Sequence, residues 1–252
     1  MIKQKGFLRL VGGSLGETTF LKSVDGYRAQ EKRVVPEGQF KNDPRLQKVR
    51  ENATEFTRVA SGGKTIRSAF NELVKQASDN RVTSRLQKRL HEVINSDTGN
   101  PHGHRNLVDG NTRLLEKFEF NGKTDLKRVL FPDFTSTVDR VAGHLTVGLG
   151  VVDPLSQMKV PKGTTHFQIV SAASEMNFES TNTVTDYKQS AMLPYGSTPT
   201  PVISNVHSLT PASTNILVVV AGIRFYELFN GVMSPVSNGK SNALSILQVS
   251  KV

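Results

Sequence analysis

The stretch Ile216-Leu217-Val218-Val219-Val220 decides the fold class of this chain. Every position in it is apolar, so a strand built from it presents hydrophobic side chains on both of its faces. A strand of this kind belongs in the middle of a sheet rather than at its edge. We therefore predict a central strand over residues 215–228, within a region dominated by β-structure.

Five more segments around this strand have extended character, and none of them has the 3.6-residue period of a helix. Clusters of Pro, Gly, Ser and Asn separate them, as expected for turns between antiparallel strands. The predicted strands cover residues 135–147, 164–178, 183–193, 201–207 and 243–249. Together they predict an antiparallel β-sandwich-like domain over residues 131–252.

The N-terminal region is predicted to form a β-hairpin arm over residues 1–40. Glycine-containing turns join predicted strands at 7–11, 18–24 and 27–32, and Asp25-Gly26 is typical of a two-residue hairpin turn that needs positive φ. A hairpin of this size is only marginally stable alone, so it has to pack on something. Four apolar side chains are candidates for that contact, in assembly with another copy: Phe7, Leu10, Phe20 and Tyr27.

A three-helix segment is predicted over residues 41–98, followed by a connecting loop with short elements over residues 99–130. Asp43-Pro44 has the features of an N-cap followed by Pro at the first helical position, and Gly62-Gly63 is expected to end that helix. Apolar residues recur at helical spacing in the second helix, at Ile66, Ala69, Phe70, Leu73, Val74 and Ala77, and in the third, at Val82, Leu86, Leu90, Val93 and Ile94. The whole chain is therefore predicted to be an α+β protein.

The chain carries a formal net charge of +10, and most of the excess lies in residues 1–140, where 26 Lys and Arg stand against 17 Asp and Glu. In the third predicted helix, four basic residues at offsets of 0, 4, 7 and 8 form one positive stripe: Arg81, Arg85, Lys88 and Arg89. Such a stripe can lie along the phosphates of nucleic acid, meet an acidic surface of another protein or subunit, or stay in solvent. No aromatic residues interleave with it, so stacking on single-stranded bases is not supported.

The composition excludes several classes of site. The chain has no Cys, and therefore neither disulfides nor thiolate metal sites. It contains no run of 18 or more apolar residues and no signal-peptide core near its N-terminus, so we expect no membrane insertion and a cytoplasmic location. Gly62-Gly63-Lys64-Thr65 lacks the first glycine of a phosphate-binding loop. No residue pattern predicts a catalytic, cofactor or metal site, and the chain is not expected to be an enzyme.

The N-terminal half resembles a family of uncharacterised proteins from Bacteroidota. The resemblance rests on GETTFLKSVDGYRAQEK (residues 16–32), KNDP (41–44) and RENATEF (50–56), and it continues to FEFN (118–121). A weaker match lies at residues 166–178. The resemblance implies a bacterial source and supplies no catalytic residues.

These features favour a structural protein that assembles with copies of itself into a homo-oligomer, filament or tube, with the N-terminal arm adding a strand to a neighbour or clamping it. One alternative is a nucleic-acid-associated protein that uses the basic helices. Another is a β-sandwich module that binds a ligand or a protein, although the absence of Trp weakens a carbohydrate ligand. The expected partners are further copies of the chain, with nucleic acid or an acidic protein surface as alternatives.

Overall fold

The structure, a computed structural model, describes residues 2–3, 10, 12–23, 26–32, 37–180 and 182–251. The chain divides into two units, residues 1–50 and residues 51–252. Helices and strands are both abundant, which confirms the predicted α+β class. The predicted strand at 7–11 lies outside the described residues except for Leu10, and so does Asp25 of the predicted hairpin turn.

The first unit contains the strands β1 (Ile2–Lys3), β2 (Gly13–Leu15), β3 (Thr18–Ser23) and β4 (Gly26–Glu31). They form an antiparallel sheet in the order β1-β4-β3-β2. A short helix, α1 (Glu37–Asn42), follows, and Asp43 then accepts a hydrogen bond from the backbone N–H of Arg45 at 2.9 Å. This bond confirms Asp43 as an N-cap, with Pro44 opening a single 3-10 turn.

The helices after α1 are α2 (Gln47–Ala69), α3 (Asn71–Val74), α4 (Val82–Asn95), α5 (Leu126–Val129) and α6 (Pro154–Gln157). The predicted helix end at Gly62-Gly63 is wrong, because α2 continues through both glycines. Both are buried, and a Cβ on Gly62 would lie 2.2 Å from Cδ1 of Leu107. The glycine therefore serves close packing rather than a helix end. No described helix is both long enough and apolar enough to cross a bilayer.

The strands of the second unit form two antiparallel sheets. They are β5 (Thr135–Asp139), β6 (His144–Leu149), β7 (His166–Met176), β8 (Thr183–Gln189), β9 (Leu193–Pro194), β10 (Ile203–Ser208), β11 (Ile216–Phe229), β12 (Val232–Pro235) and β13 (Ala243–Ser250). The small sheet has the order β10-β6-β5, and the large sheet has the order β12-β11-β7-β8, with β13 also paired to β11 and β9 to β7. The single strand predicted at 135–147 is wrong, because a turn at Gly143, with φ +73°, divides it into β5 and β6.

Strand β11 is the central strand that its sequence predicts. It pairs with β7 from Ile216 to Tyr226 on one side and with β13 from Leu217 to Ile223 on the other. Alternate side chains of β11 enter different hydrophobic clusters. One set packs with helical residues and comprises Ile216, Val218 and Val220. The other set packs with residues of β6 and comprises Leu217, Val219 and Ala221.

The large sheet is thus covered by helices on one face and by the small sheet on the other. The apolar residues that predict the second and third helices are all buried, and they share the cluster of the first β11 set. The second of those predicted helices is interrupted, since α2 ends at Ala69 and α3 begins at Asn71. The third corresponds to α4. Helices and large sheet therefore form one core within the second unit.

Gly222 of β11 is packed too closely to its neighbours for a side chain. A Cβ at this position would lie 2.3 Å from the carbonyl oxygen of Ala243 in β13, which is fixed by the strand pairing. We expect Gly222→Ala to lower the free energy of unfolding by about 1–3 kcal/mol, the usual cost of overpacking a core. Urea denaturation measures this. Gly150→Ala is the control, because nothing lies within 4 Å of the Cβ that it adds. An equal loss in both variants would contradict the packing explanation.

Candidate assembly and anion-binding surfaces

The N-terminal sheet brings two of the predicted assembly residues onto one face. Phe20 and Lys22 point to the same side of β3, and Lys22 pairs directly with Tyr27 of β4. Phe20 and Tyr27 therefore share a face, and the pairing of β2 with β3 adds Leu15, which is 73% exposed. We call these three side chains, Leu15, Phe20 and Tyr27, the aromatic face.

The other two predicted assembly residues are not placed on this sheet. Leu10 is exposed and belongs to no helix or strand, and Phe7 lies outside the described residues. None of the described side chains between residues 10 and 50 is buried. A small sheet whose apolar side chains stay accessible lacks the hydrophobic core on which sheet stability depends.

A second apolar surface lies at the end of the large sheet, where β11 and β12 form a hairpin. Asn230-Gly231 connects the strands with φ values of +49° and +79°, as a two-residue hairpin turn requires. In the part of the chain that the structure describes, β11 is the only strand that pairs with β12. Four exposed apolar side chains form what we call the hairpin tip: Leu228, Phe229, Val232 and Met233. Sequence analysis missed β12, although the Asn-Gly pair is its signal.

Two of the four residues in the predicted positive stripe, Arg85 and Arg89, form contacts within the folded chain. Arg85 donates to Oδ2 of Asp79 at 2.8 Å and to the carbonyl oxygen of Phe120 at 2.9 Å, and its guanidinium lies 5.3 Å from the ring centroid of Phe118. Arg89 forms an ion pair with Glu92 at 2.8 Å. The other two members, Arg81 and Lys88, are exposed.

A cleft of about 610 Å³ lies at the start of α4 and is lined by cations from three parts of the chain. Arg81 and Arg85 come from the predicted stripe, whereas Lys123 and Lys240 come from loops that are distant in sequence. Asp79 is the one carboxylate that lines it. Burial raises the pKa of Asp79, but N–H groups of Gly122 and Arg81 and the charge of Arg85 outweigh that effect and lower it below its usual value. We call this space the first basic cleft.

A smaller cleft of about 400 Å³ shares Arg85 with the first. Lys88, Arg89 and Lys117 line it, together with Glu92 and Glu119. Burial raises the pKa of Glu119 to about 7, so this carboxyl carries a proton for much of the time near neutral pH. We call this space the second basic cleft. Sequence analysis missed Lys117, Lys123 and Lys240, because only tertiary packing brings them beside α4.

A buried polar chain links the small sheet to the large one. Asn205 Nδ2 donates to Ser171 Oγ at 2.9 Å, Ser171 Oγ lies 2.9 Å from His207 Nε2, and His207 Nδ1 lies 3.1 Å from the carbonyl oxygen of Asp186. A neutral imidazole that accepts from Ser171 and donates to Asp186 satisfies every one of these groups. His207 is therefore a buried histidine with both ring nitrogens in hydrogen bonds.

The same residue types form the catalytic triad of serine hydrolases, but this geometry does not support hydrolysis. Ser171 and His207 are both 0% exposed, so no substrate reaches the hydroxyl. The carboxylate of Asp186 is 3.8 Å from His207 Nδ1 and accepts instead from the backbone N–H of Ser208 at 3.0 Å. In the described part of the chain, no three His, Asp or Glu side chains lie close enough together to hold a metal ion.

The buried histidine predicts a pH-dependent contribution to stability. Burial lowers the pKa of His207 below its usual value of 6.5, so below that pH the unfolded chain binds a proton that the folded chain excludes. We expect His207→Gln to cost about 1–3 kcal/mol of unfolding free energy above pH 7, the cost of leaving buried groups unpaired. That difference from the wild-type chain should shrink as the pH falls below 6.5. Urea denaturation across a pH series measures it.

The control for this series is His144→Gln, because His144 is exposed on β6. This variant keeps His207, so it should still lose stability as the pH falls below 6.5. A gap between wild type and His207→Gln that stays constant from pH 7.5 to pH 5.5 would show that His207 becomes protonated without penalty in the folded chain.

Comparison with known proteins adds no further assignment. No protein-family profile, curated protein sequence or solved structure matches this chain. Its function is therefore inferred from the two apolar surfaces and the two basic clefts.

Proposed function

We propose that this protein is structural and assembles with copies of itself, with residues 1–40 acting as an arm that contacts a neighbouring subunit. One observation carries the proposal: the N-terminal sheet has no buried side chain among its described residues, and on its aromatic face Leu15 is exposed while Phe20 and Tyr27 are only half-buried. A sheet whose apolar side chains are incompletely buried gains stability when another apolar surface covers them. A second copy of the chain is the proposed cover, and the C-terminal sandwich-like region is the scaffold.

The hairpin tip is the proposed acceptor on the neighbouring subunit. It offers exposed apolar side chains, of which Phe229 is 67% and Val232 is 62% exposed. It also includes β12, a strand whose outer edge is available to pair with an added strand. Apolar contact and strand addition therefore favour the same place, in the way that donated strands complete open sheets in other assemblies.

Apolar burial at this contact offsets a substantial part of the cost of association. Burying one large apolar side chain stabilises a contact by roughly 1.5–3 kcal/mol. Phe20, Tyr27 and Phe229 together supply several such contributions, against an association cost of roughly 4–15 kcal/mol. Arm and acceptor are different surfaces. The contact therefore produces a dimer if two subunits exchange arms, a ring if a head-to-tail series closes, or a filament if it does not close.

Removing the aromatic face should reduce the size of the assembly. We expect the double variant Phe20→Ser/Tyr27→Ser to form smaller particles than the wild-type chain at equal concentration, because the apolar contribution to the contact is lost. Light scattering coupled to size-exclusion chromatography measures the mass. Gln30→Ala, on the opposite face of β4, is the control and should assemble normally. A wild-type chain that remains a monodisperse monomer at high concentration would overturn the proposal.

Changing the hairpin tip should have the same effect from the acceptor side. We expect Phe229→Ser/Val232→Ser to reduce assembly. When this variant is mixed with the arm variant, we expect dimers, because the intact arm of the tip variant can still bind the intact tip of the arm variant. Negative-stain electron microscopy and mass measurement distinguish these species. Val141→Ser is the matched control, because Val141 is 82% exposed but lies in the turn between β5 and β6. An unaltered assembly in the tip variant would exclude this acceptor.

A further inference from the structure

The two basic clefts form one positive track, because Arg85 lines both of them. Arg81, Lys123 and Lys240 line the first basic cleft, and Lys88, Arg89 and Lys117 line the second. Along α4 alone, the distance from Arg81 to Arg89 is about 12 Å at 1.5 Å per residue. The track is therefore longer than any single phosphate or small anion.

Most cations of this track have no counter-charge. Five of them, Arg81, Lys88, Lys117, Lys123 and Lys240, are exposed and form no ion pair within the described residues. The carboxyl groups that line the clefts are already engaged: Asp79 binds Arg85, Glu92 binds Arg89, and Glu119 accepts from the backbone N–H of Leu126. The five free cations are not needed by the fold, and like charges held close together repel one another unless an anion lies between them.

The chemistry of the clefts favours a phosphate backbone over exposed bases. Among the described residues, Phe118 is the one aromatic residue that lines them. It is 5% exposed, and the guanidinium of Arg85 lies over its ring. Binding of single strands usually requires an exposed aromatic side chain on which an unpaired base can stack. The described residues of the two clefts do not provide one. Lysine and arginine without such a platform contact phosphates and do not read sequence.

We infer that this track binds the phosphate backbone of double-stranded nucleic acid without sequence preference. Such contacts release condensed counterions, so the affinity has to fall steeply with salt. If three to five of the cations each neutralise a phosphate, the plot of log K against log salt has a slope of roughly −3 to −5, at about −0.9 per contact. The inference does not rest on self-assembly, because none of these residues belongs to the N-terminal arm or to the hairpin tip.

The experiment uses the full chain, a fluorescently labelled 30-base-pair DNA duplex and fluorescence anisotropy across a salt series. We expect Lys123→Gln/Lys240→Gln to weaken binding by about one to two orders of magnitude near 0.1 M salt and to reduce the salt slope by about 2, one unit for each lost contact. Both lysines are exposed, so the variant should fold normally, which its thermal unfolding verifies.

The matched control is Lys159→Gln/Lys162→Gln, which removes the same charge from exposed positions that line neither cleft. It should bind the duplex within about threefold of the wild-type chain, as expected for a distant charge screened at this ionic strength. Equal losses in the two double variants would overturn the inference, as would no binding at 50 mM salt. Unlabelled duplex, polyglutamate and phosphatidylserine vesicles are added as competitors at equal concentrations of negative charge. If polyglutamate or the vesicles displace the labelled duplex at a lower charge concentration than unlabelled duplex does, the assignment to nucleic acid is overturned.

Discussion

The second unit depends on the burial of β11 from both sides. A strand that is apolar at every position has no face that water can wet, so it is stable only when a layer covers each side of its sheet. The helices meet this requirement on one side and the small sheet meets it on the other. The positions of α4 and of the loops that carry Lys123 and Lys240 follow from this arrangement, because each of them attaches to the layer that covers β11. The first basic cleft therefore forms because the elements that cover β11 bring its lining residues together.

Periodicity predicted those parts of the fold in which a pattern has a single physical meaning. The continuous apolar run of β11 and the apolar stripe of α4 indicated buried elements, and both are buried as expected. Sequence patterns gave a wrong prediction where the same residue type serves two structural roles. Gly62-Gly63 has the composition of a helix end, but the same lack of a Cβ permits close packing against Leu107, and only the tertiary structure decides between them. The turn at Gly143 was missed because a strand and a tight hairpin share the same polar and apolar alternation.

The candidate surfaces were only partly visible in the sequence for a related reason. Helical spacing groups residues that are near in sequence, which is why Arg81, Arg85, Lys88 and Arg89 were found together. It contains no information on which loops approach that helix, so three of the track's cations were missed, and so was the use of Arg85 as a structural ligand of Asp79. If the subunits repeat in an assembly, the tracks repeat with them, and modest affinity at each subunit becomes strong binding of a long polyanion through multivalency.

The polar chain from Asn205 to Asp186 has a consequence for how the two sheets find each other. Apolar side chains tolerate small slips against one another, whereas a slip of β10 by one residue would turn His207 to the opposite face of its sheet. That error would leave the buried hydroxyl of Ser171 without its partners His207 and Asn205, at a cost of roughly 1–3 kcal/mol. The hydrogen bonds of His207 therefore stabilise the native register of β10 relative to a one-residue slip, which hydrophobic contacts alone would distinguish less well.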